Sequence, residues 1–183
     1  MKKILSIAAI LGFAFAANAQ NASSSASQTA KLSLSNAVEI TFTGSGTTTG
    51  GLVTLPFTTV NDYADGVESS AQTLKVRSNK AFGVTVKTNA ANFSYSGSTS
   101  PAPEMPVSNV LKLKVSANNT GGTIANPFSA SSYKTLTSAD QNLISNGTYG
   151  GNQTFAVQYE ATPGFAYPAG DYTVNVVYTV TQQ

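Results

Sequence analysis

The chain has 183 residues, contains no His, no Cys and no Trp, and carries charge on only 10% of its residues. Without His or Cys it has no imidazole base, no thiolate nucleophile, no Cys/His zinc site and no disulfide. Ten Lys and Arg against eight Asp and Glu give a formal charge of +2. The composition therefore excludes the enzyme and metal-site classes that depend on His or Cys.

The N-terminus has the three parts of a secretory signal peptide. Lys2 and Lys3 precede an almost wholly apolar run over 4–17, and Ala17-Asn18-Ala19 is a small-x-small cleavage site. The run is shorter than the roughly 20 residues of a membrane-spanning helix, although an N-terminal anchor helix is the competing interpretation. We expect residues 1–19 to be removed and the protein to reach the periplasm, the cell surface or the extracellular space.

Removal of the signal peptide changes the charge balance. Lys2 and Lys3 leave with it, so the remaining chain carries eight basic and eight acidic residues and is formally neutral. Proteins that bind nucleic acid or anionic lipid usually carry a positively charged patch. A neutral chain with no basic run has none, so we expect neither partner. The polar stretch 20–29 predicts a flexible arm, and 30–183 predicts one domain.

The domain shows repeated period-2 alternation of apolar and polar residues, which predicts β-strands. In chain order the apolar positions are Ala30, Leu32 and Leu34; Val38, Ile40 and Phe42; Leu74 and Val76; Phe82, Val84 and Val86; Leu111, Leu113 and Val115; Phe155, Val157 and Tyr159; and Tyr172, Val174, Val176, Tyr178 and Val180. Apolar residues on one face and Lys, Thr or Ser on the other indicate antiparallel sheets with one solvated side.

Turn signals separate these strands. Asn79-Lys80 predicts a hairpin tip, and the three prolines of Ser96–Pro106 predict a crossover. Leu136–Ile144 is the one segment that favours a short helical turn. We therefore predict an all-β fold, a single immunoglobulin-like antiparallel β-sandwich of about seven to nine strands, with an up-and-down barrel as the alternative.

Candidate chemistry is sparse. Asp62, Asp65 and Glu68 could supply oxygen ligands to Ca²⁺, but their spacing is not that of a helix-loop-helix calcium loop, and an acidic turn is the favoured interpretation. The remaining carboxylates are scattered, whereas a glycoside hydrolase needs two at a set separation; they are Glu39, Glu104, Glu160 and Asp171. We predict no enzymatic activity and no cofactor.

Several tyrosines fall in or near predicted loops, where an amphipathic ring could contact a sugar. They are Tyr63, Tyr95, Tyr133, Tyr149 and Tyr167. The favoured interpretation is that these rings cap the ends of the core. A binding site for an extracellular glycan is kept as the alternative function.

Pro168-Ala169-Gly170-Asp171-Tyr172 is followed by alternating apolar residues up to the C-terminus. This pattern resembles the closing strand of pilin-like exported β-sandwiches, a group that includes chaperone–usher pilus subunits and spore-coat-U-like proteins. The Ala-Asn-Ala-Gln ending of the signal and the Asn/Thr-rich body also look like secreted Bacteroidetes proteins. Gly170 is fourteenth from the C-terminus, as in chaperone–usher subunits, and Tyr172 begins the alternating face. The departures from that pattern are Gln182 in place of an aromatic residue and the lack of a disulfide. The candidate assembly strand comprises Gly170, Tyr172, Val174, Val176, Tyr178 and Val180.

The resemblance implies a non-enzymatic structural or adhesive subunit of the cell surface or extracellular space, joined by strand addition to copies of itself or to other surface subunits. In strand addition, an extended segment of one molecule completes the sheet of another. The candidate donor segment is Ala30, Leu32 and Leu34. A self-complete monomer is equally compatible with the sequence.

Overall fold

The computed structural model describes residues 23–183, so the predicted signal peptide lies outside the described residues. The chain divides into two compact units, Met1–Leu34 and Ser35–Gln183. In the first unit, residues 23–34 are exposed and have no regular secondary structure. The strand predicted from Ala30, Leu32 and Leu34 is therefore wrong, because apolar alternation makes a strand only where a neighbouring strand supplies hydrogen bonds. The Leu32 and Leu34 side chains are 80% and 88% exposed.

The second unit contains twelve strands and two short helices among the described residues. The strands are β1 (Val38–Phe42), β2 (Val67–Glu68), β3 (Gln72–Ser78), β4 (Phe82–Thr88), β5 (Ser94–Ser96), β6 (Leu111–Asn119), β7 (Thr123–Ile124), β8 (Lys134–Thr135), β9 (Gln141–Gly147), β10 (Gly150–Ala161), β11 (Asp171–Thr173) and β12 (Val176–Gln182). The helices are α1 (Val60–Asp65) and α2 (Val107–Val110). The count exceeds the predicted seven to nine because five strands have only two or three residues.

The strands form two main sheets and one small ribbon. The larger sheet has the order β1-β3-β10-β6-β8, with β2 paired to the end of β10. The smaller sheet has the order β12-β4-β9-β7, and β11 pairs with β5. Every strand pair is antiparallel. The predicted all-β antiparallel sandwich is confirmed.

One hydrophobic core lies between the two sheets. β4 alternates buried and half-buried residues along its whole length, as the period-2 pattern predicted. The largest fully buried side chains come from both sheets, and they include Leu74, Leu113 and Phe155 from the larger sheet and Phe82, Leu143 and Ile144 from the smaller one. Each such side chain contributes roughly 1.5–3 kcal/mol through burial, which supplies stability without a disulfide.

The hairpin predicted at Asn79-Lys80 is wrong. β3 lies in the larger sheet and β4 in the smaller one, so the chain crosses between sheets at this point. The Ser78 hydroxyl supports the corner by donating to the Lys80 carbonyl at 2.7 Å and accepting from the Lys80 N–H at 3.2 Å. Alternation shows which face of a strand is buried, but it does not show whether consecutive strands pair side by side or face each other across a core.

The helical turn predicted within Leu136–Ile144 is also wrong, because residues 136–140 are irregular and β9 begins at Gln141. Leu143 and Ile144 are both buried although they are neighbours. A shift in register between β4 and β9 at this point accounts for the pair, since an irregularity lets two successive residues face the core. Among residues 23–183, no helix is long and apolar enough to cross a membrane.

Candidate functional site: the free edge of the last strand

The last strand of the chain, β12, lies at the edge of the smaller sheet. It pairs with β4 along its full length, from Val176 opposite Thr88 to Gln182 opposite Phe82. No strand of the described part of the chain pairs with its other side. The β-branched sequence of β12 has a strong preference for extended structure, which explains why it forms a regular seven-residue strand at an edge.

The hydrogen bonds at both ends of β12 show which backbone groups are free. The Asn89 N–H donates to the Asn175 carbonyl at 2.9 Å, and the Gln183 N–H donates to the Ala81 carbonyl at 2.8 Å. Both bonds use odd-numbered residues of the C-terminal segment. Because antiparallel pairs use alternate residues, the N–H and C=O groups of the even-numbered residues point away from β4. Those residues are Val176, Tyr178, Val180 and Gln182.

A mostly apolar cleft of about 170 Å³ lies between β12 and β1, the edge strand of the other sheet. Its lining comprises Ile40, Thr41, Phe42, Thr48, Leu74, Val176, Val177 and Tyr178. The rings of Phe42 and Tyr178 meet edge to face, with centroids 6.2 Å apart. The free edge therefore borders an opening into the core of the sandwich.

Gln182 holds the C-terminal end of β12, at the other end of the strand from the cleft. The two protons of its side-chain NH₂ are shared among three acceptors, the Ala37 carbonyl at 2.8 Å, Asn79 Oδ1 at 2.8 Å and Ser78 Oγ at 3.1 Å. It thereby joins the end of β12 to the start of β1 and to the corner after β3. The sequence showed only that Gln182 stands where chaperone–usher subunits have an aromatic residue. It did not predict that the Gln182 side chain would hydrogen-bond to the other sheet.

Tyr178 connects the cleft to the core. Its hydroxyl lies 2.7 Å from the hydroxyl of Tyr159, and one of the two donates a hydrogen bond to the other. The Tyr178 ring is partly exposed in the cleft, while its hydroxyl is enclosed. Burial raises the pKa of Tyr159 to about 12, although the hydrogen bond from Tyr178 acts in the opposite direction. Burial, together with the nearby Tyr159, also raises the pKa of Tyr178 well above its usual value.

The candidate assembly strand predicted from Gly170 to Val180 is divided in the structure. Tyr172 belongs to β11 and pairs with Tyr95 of β5, whereas Val176 begins β12. Val174 lies between the two strands, half-buried against the core. Gly170 precedes β11 at φ +154°, and a Cβ there would lie 2.3 Å from the Tyr95 ring. The even-numbered residues share one inward face, but only those from Val176 onward carry the free edge.

The acidic residues 62, 65 and 68 have separate surroundings. The Asp62 carboxylate accepts from the backbone N–H groups of Thr58 and Thr59, both at 2.7 Å, and forms the capping box of α1. These hydrogen bonds lower the pKa of Asp62. Glu68 lies 3.7 Å from Lys114. Among the described residues, no group of three acidic side chains is placed to hold a metal ion.

Three of the five loop tyrosines lie in aromatic groups. Tyr63 contacts Phe57 and stacks on Phe165 with centroids 5.7 Å apart, while Tyr172 lies between Tyr95 and Tyr167. We call these six rings the end cluster. Phe165 is 69% exposed. Tyr133 and Tyr149 lie elsewhere, the first beneath Lys114 Nζ at 4.3 Å and the second 72% exposed.

The fold and the site define an antiparallel β-sandwich with a free C-terminal strand edge beside an apolar cleft. No family model matches the chain, and a search of the curated proteins found no match.

Proposed function

We propose that this chain is an exported, non-enzymatic structural or adhesive subunit of the bacterial cell surface that associates by strand addition at the free edge of β12. The single observation that carries the proposal is this seven-residue edge, unpaired on one side and bordered by the apolar cleft. Free backbone donors and acceptors provide affinity for an added strand, and the cleft accommodates apolar side chains. The signal-like N-terminus supports export.

The first test blocks the edge without removing a bond from the sheet. The Val180 N–H points away from β4, so Val180→Pro removes a donor from the free edge only. We expect wild-type chain from residue 20 onward to associate as its concentration rises, and Val180→Pro to remain monomeric, as measured by light scattering. Val180→Thr is the matched control, because it keeps the N–H. A wild-type chain that stays monomeric at every concentration would contradict the proposal.

The second test concerns the donor segment. Ala30, Leu32 and Leu34 alternate with polar residues in an exposed stretch without regular structure, as a donor that pairs only on association would. Removing residues 20–34 distinguishes two versions of strand addition. Loss of association would identify this segment as the added strand, and retained association would assign another strand to the β12 edge.

A glycan-binding module is the second candidate function, and the exposed Phe165 ring stacked on Tyr63 favours it. Neighbouring aromatic rings can cover the apolar face of a sugar. A glycan array probed with wild-type protein and with Phe165→Ala tests this function, and Tyr149→Ala is the control because Tyr149 is equally exposed but isolated from the end cluster. Binding unchanged in Phe165→Ala, or an array without any binder, would eliminate it.

A further inference from the structure

The edge of β12 differs chemically from the other sheet edges of the described chain. Proteins protect exposed edges with charge, with very short strands or by covering them. β1 carries Glu39, which pairs with Arg77, and β8 contains Lys134. β7 has only two residues. Among residues 23–183, β12 is the only edge strand of five or more residues that has neither a charge nor a proline.

Because β12 carries no charge, it can pair with β12 of a second copy without repulsion between like charges. In a two-fold strand pair, a residue at the axis lies beside its own counterpart, so a charge close to the axis would repel the same charge of the second copy. β12 has no such charge, and its sequence VVYTVTQ is β-branched and aromatic over six of seven positions. An edge without charge can therefore pair with its own copy at no electrostatic cost.

The direction of the free backbone groups limits the register, and the midpoint of β12 at Thr179 selects one of the allowed registers, because it pairs the strand over its whole length. Only even-numbered residues can exchange hydrogen bonds across the edge, so an axis through Thr179 pairs Tyr178 with Val180 of the second copy. This pair places an aromatic side chain beside a β-branched one, which is a favourable cross-strand combination. On the outer face, Thr179 then lies opposite its own counterpart, and Val177 lies opposite Thr181 of the second copy.

We propose that two copies of this chain associate through β12, antiparallel about a two-fold axis at Thr179, and so join two four-stranded sheets into one continuous sheet. This inference rests on the proposed strand addition and names the strand that is added. A single strand pair buries less area than a standard protein interface, so the association is weak and transient. The test therefore captures the complex covalently.

Single cysteines provide the capture, since the chain contains no cysteine of its own. Thr179 and its counterpart form a non-hydrogen-bonded pair with Cα atoms about 4.5 Å apart, a separation that a disulfide spans. Thr181 and its counterpart are four residues out of alignment, or about 13 Å apart along the strands. Thr179 and Thr181 are both exposed on the same face of β12, so Thr181→Cys is a matched control.

Under mild oxidation, we expect Thr179→Cys to form a disulfide-linked dimer and Thr181→Cys to remain monomeric on non-reducing gels, with at least about a tenfold difference in the dimer fraction. Mixing Val177→Cys with Thr181→Cys should give a mixed dimer, because these positions lie opposite each other. Circular dichroism of each variant confirms that the fold is intact.

Three results would overturn the inference. Equal cross-linking of Thr179→Cys and Thr181→Cys would indicate parallel or unspecific pairing. Cross-linking of Thr179→Cys that disappears when residues 20–34 are removed would show that the β12 pair alone does not hold the two copies together. Absence of the Thr179→Cys dimer would reject the two-fold pairing, and the wild-type chain then decides on strand addition. Association that Val180→Pro abolishes would leave strand addition standing, and a wild-type chain that also stays monomeric would reject it.

Discussion

At the scale of single residues, the buried hydroxyls of Tyr159 and Tyr178 make the folded chain less stable at alkaline pH. Both pKa values are raised because burial disfavours the charged phenolate. The folded chain therefore keeps protons that the unfolded chain releases above about pH 10. We expect stability to be fully present below about pH 10 and to fall as the pH rises above it, by at most about 1.4 kcal/mol per pH unit for each tyrosine. Thermal unfolding measured against pH checks this.

The double variant Tyr159→Phe with Tyr178→Phe isolates the effect. Removing both hydroxyls leaves no unpaired polar group, so the change costs little at neutral pH. The alkaline loss of stability should then be markedly smaller than in the wild type. Tyr149→Phe is the control, because this exposed ring lies outside the core. An alkaline loss that is identical in the double variant would assign it to other groups.

At the scale of elements, the capping box of α1 links Asp62 to the local fold. Asp62→Ala removes the acceptor of the Thr58 and Thr59 N–H groups, so we expect a lower unfolding temperature at neutral pH. The lowered pKa of Asp62 sets the sign of the pH dependence. Its stabilising contribution is fully present above the pKa of an ordinary aspartate, about 3.9, and is lost as the pH falls through the lower pKa of the folded chain.

The difference between wild type and Asp62→Ala should accordingly disappear in acid, as measured by thermal unfolding from neutral to strongly acidic pH. Asp65→Ala, in the same helix, is the control for a change of charge without loss of the cap. A difference that persists unchanged in acid would show that packing, rather than the ionised cap, is responsible.

The elements also show what the sequence could predict and what it could not. Local alternation predicted the buried faces of β4 and β12 correctly, because burial on a strand follows a period of two. The pairing of strands was not local, so the corner at Asn79-Lys80 was mistaken for a hairpin. The break at Asn175 was missed because Tyr172 and Val176 stay on one face on either side of it. The sequence predicted β12 as a strand but not as an edge strand, because the lack of a neighbour depends on the order of all the strands in the sheet.

At the scale of the whole molecule, the outer faces of both sheets carry charges in opposite pairs. The pairs are Arg77 with Glu39, Lys112 with Glu160, Lys114 with Glu68, and Lys87 with Asp140. Exposed ion pairs of this kind contribute little to stability. Their consequence is electrostatic. Residues 23–183 carry eight basic and eight acidic side chains, and the pairing leaves this part of the surface without a large field of one sign to steer a charged partner.

Association through the uncharged β12 edge should therefore depend weakly on salt. Between about 0.05 and about 0.5 M NaCl, we expect the dimer fraction measured by light scattering to change by less than about twofold. Thr179→Lys supplies the contrasting variant, since it places two like charges at the axis. Its association should be weaker than that of the wild type at low salt and should recover as salt screens the repulsion. A wild-type dimer fraction that falls steeply with salt would indicate a charged interface elsewhere on the molecule and would contradict the assignment of β12.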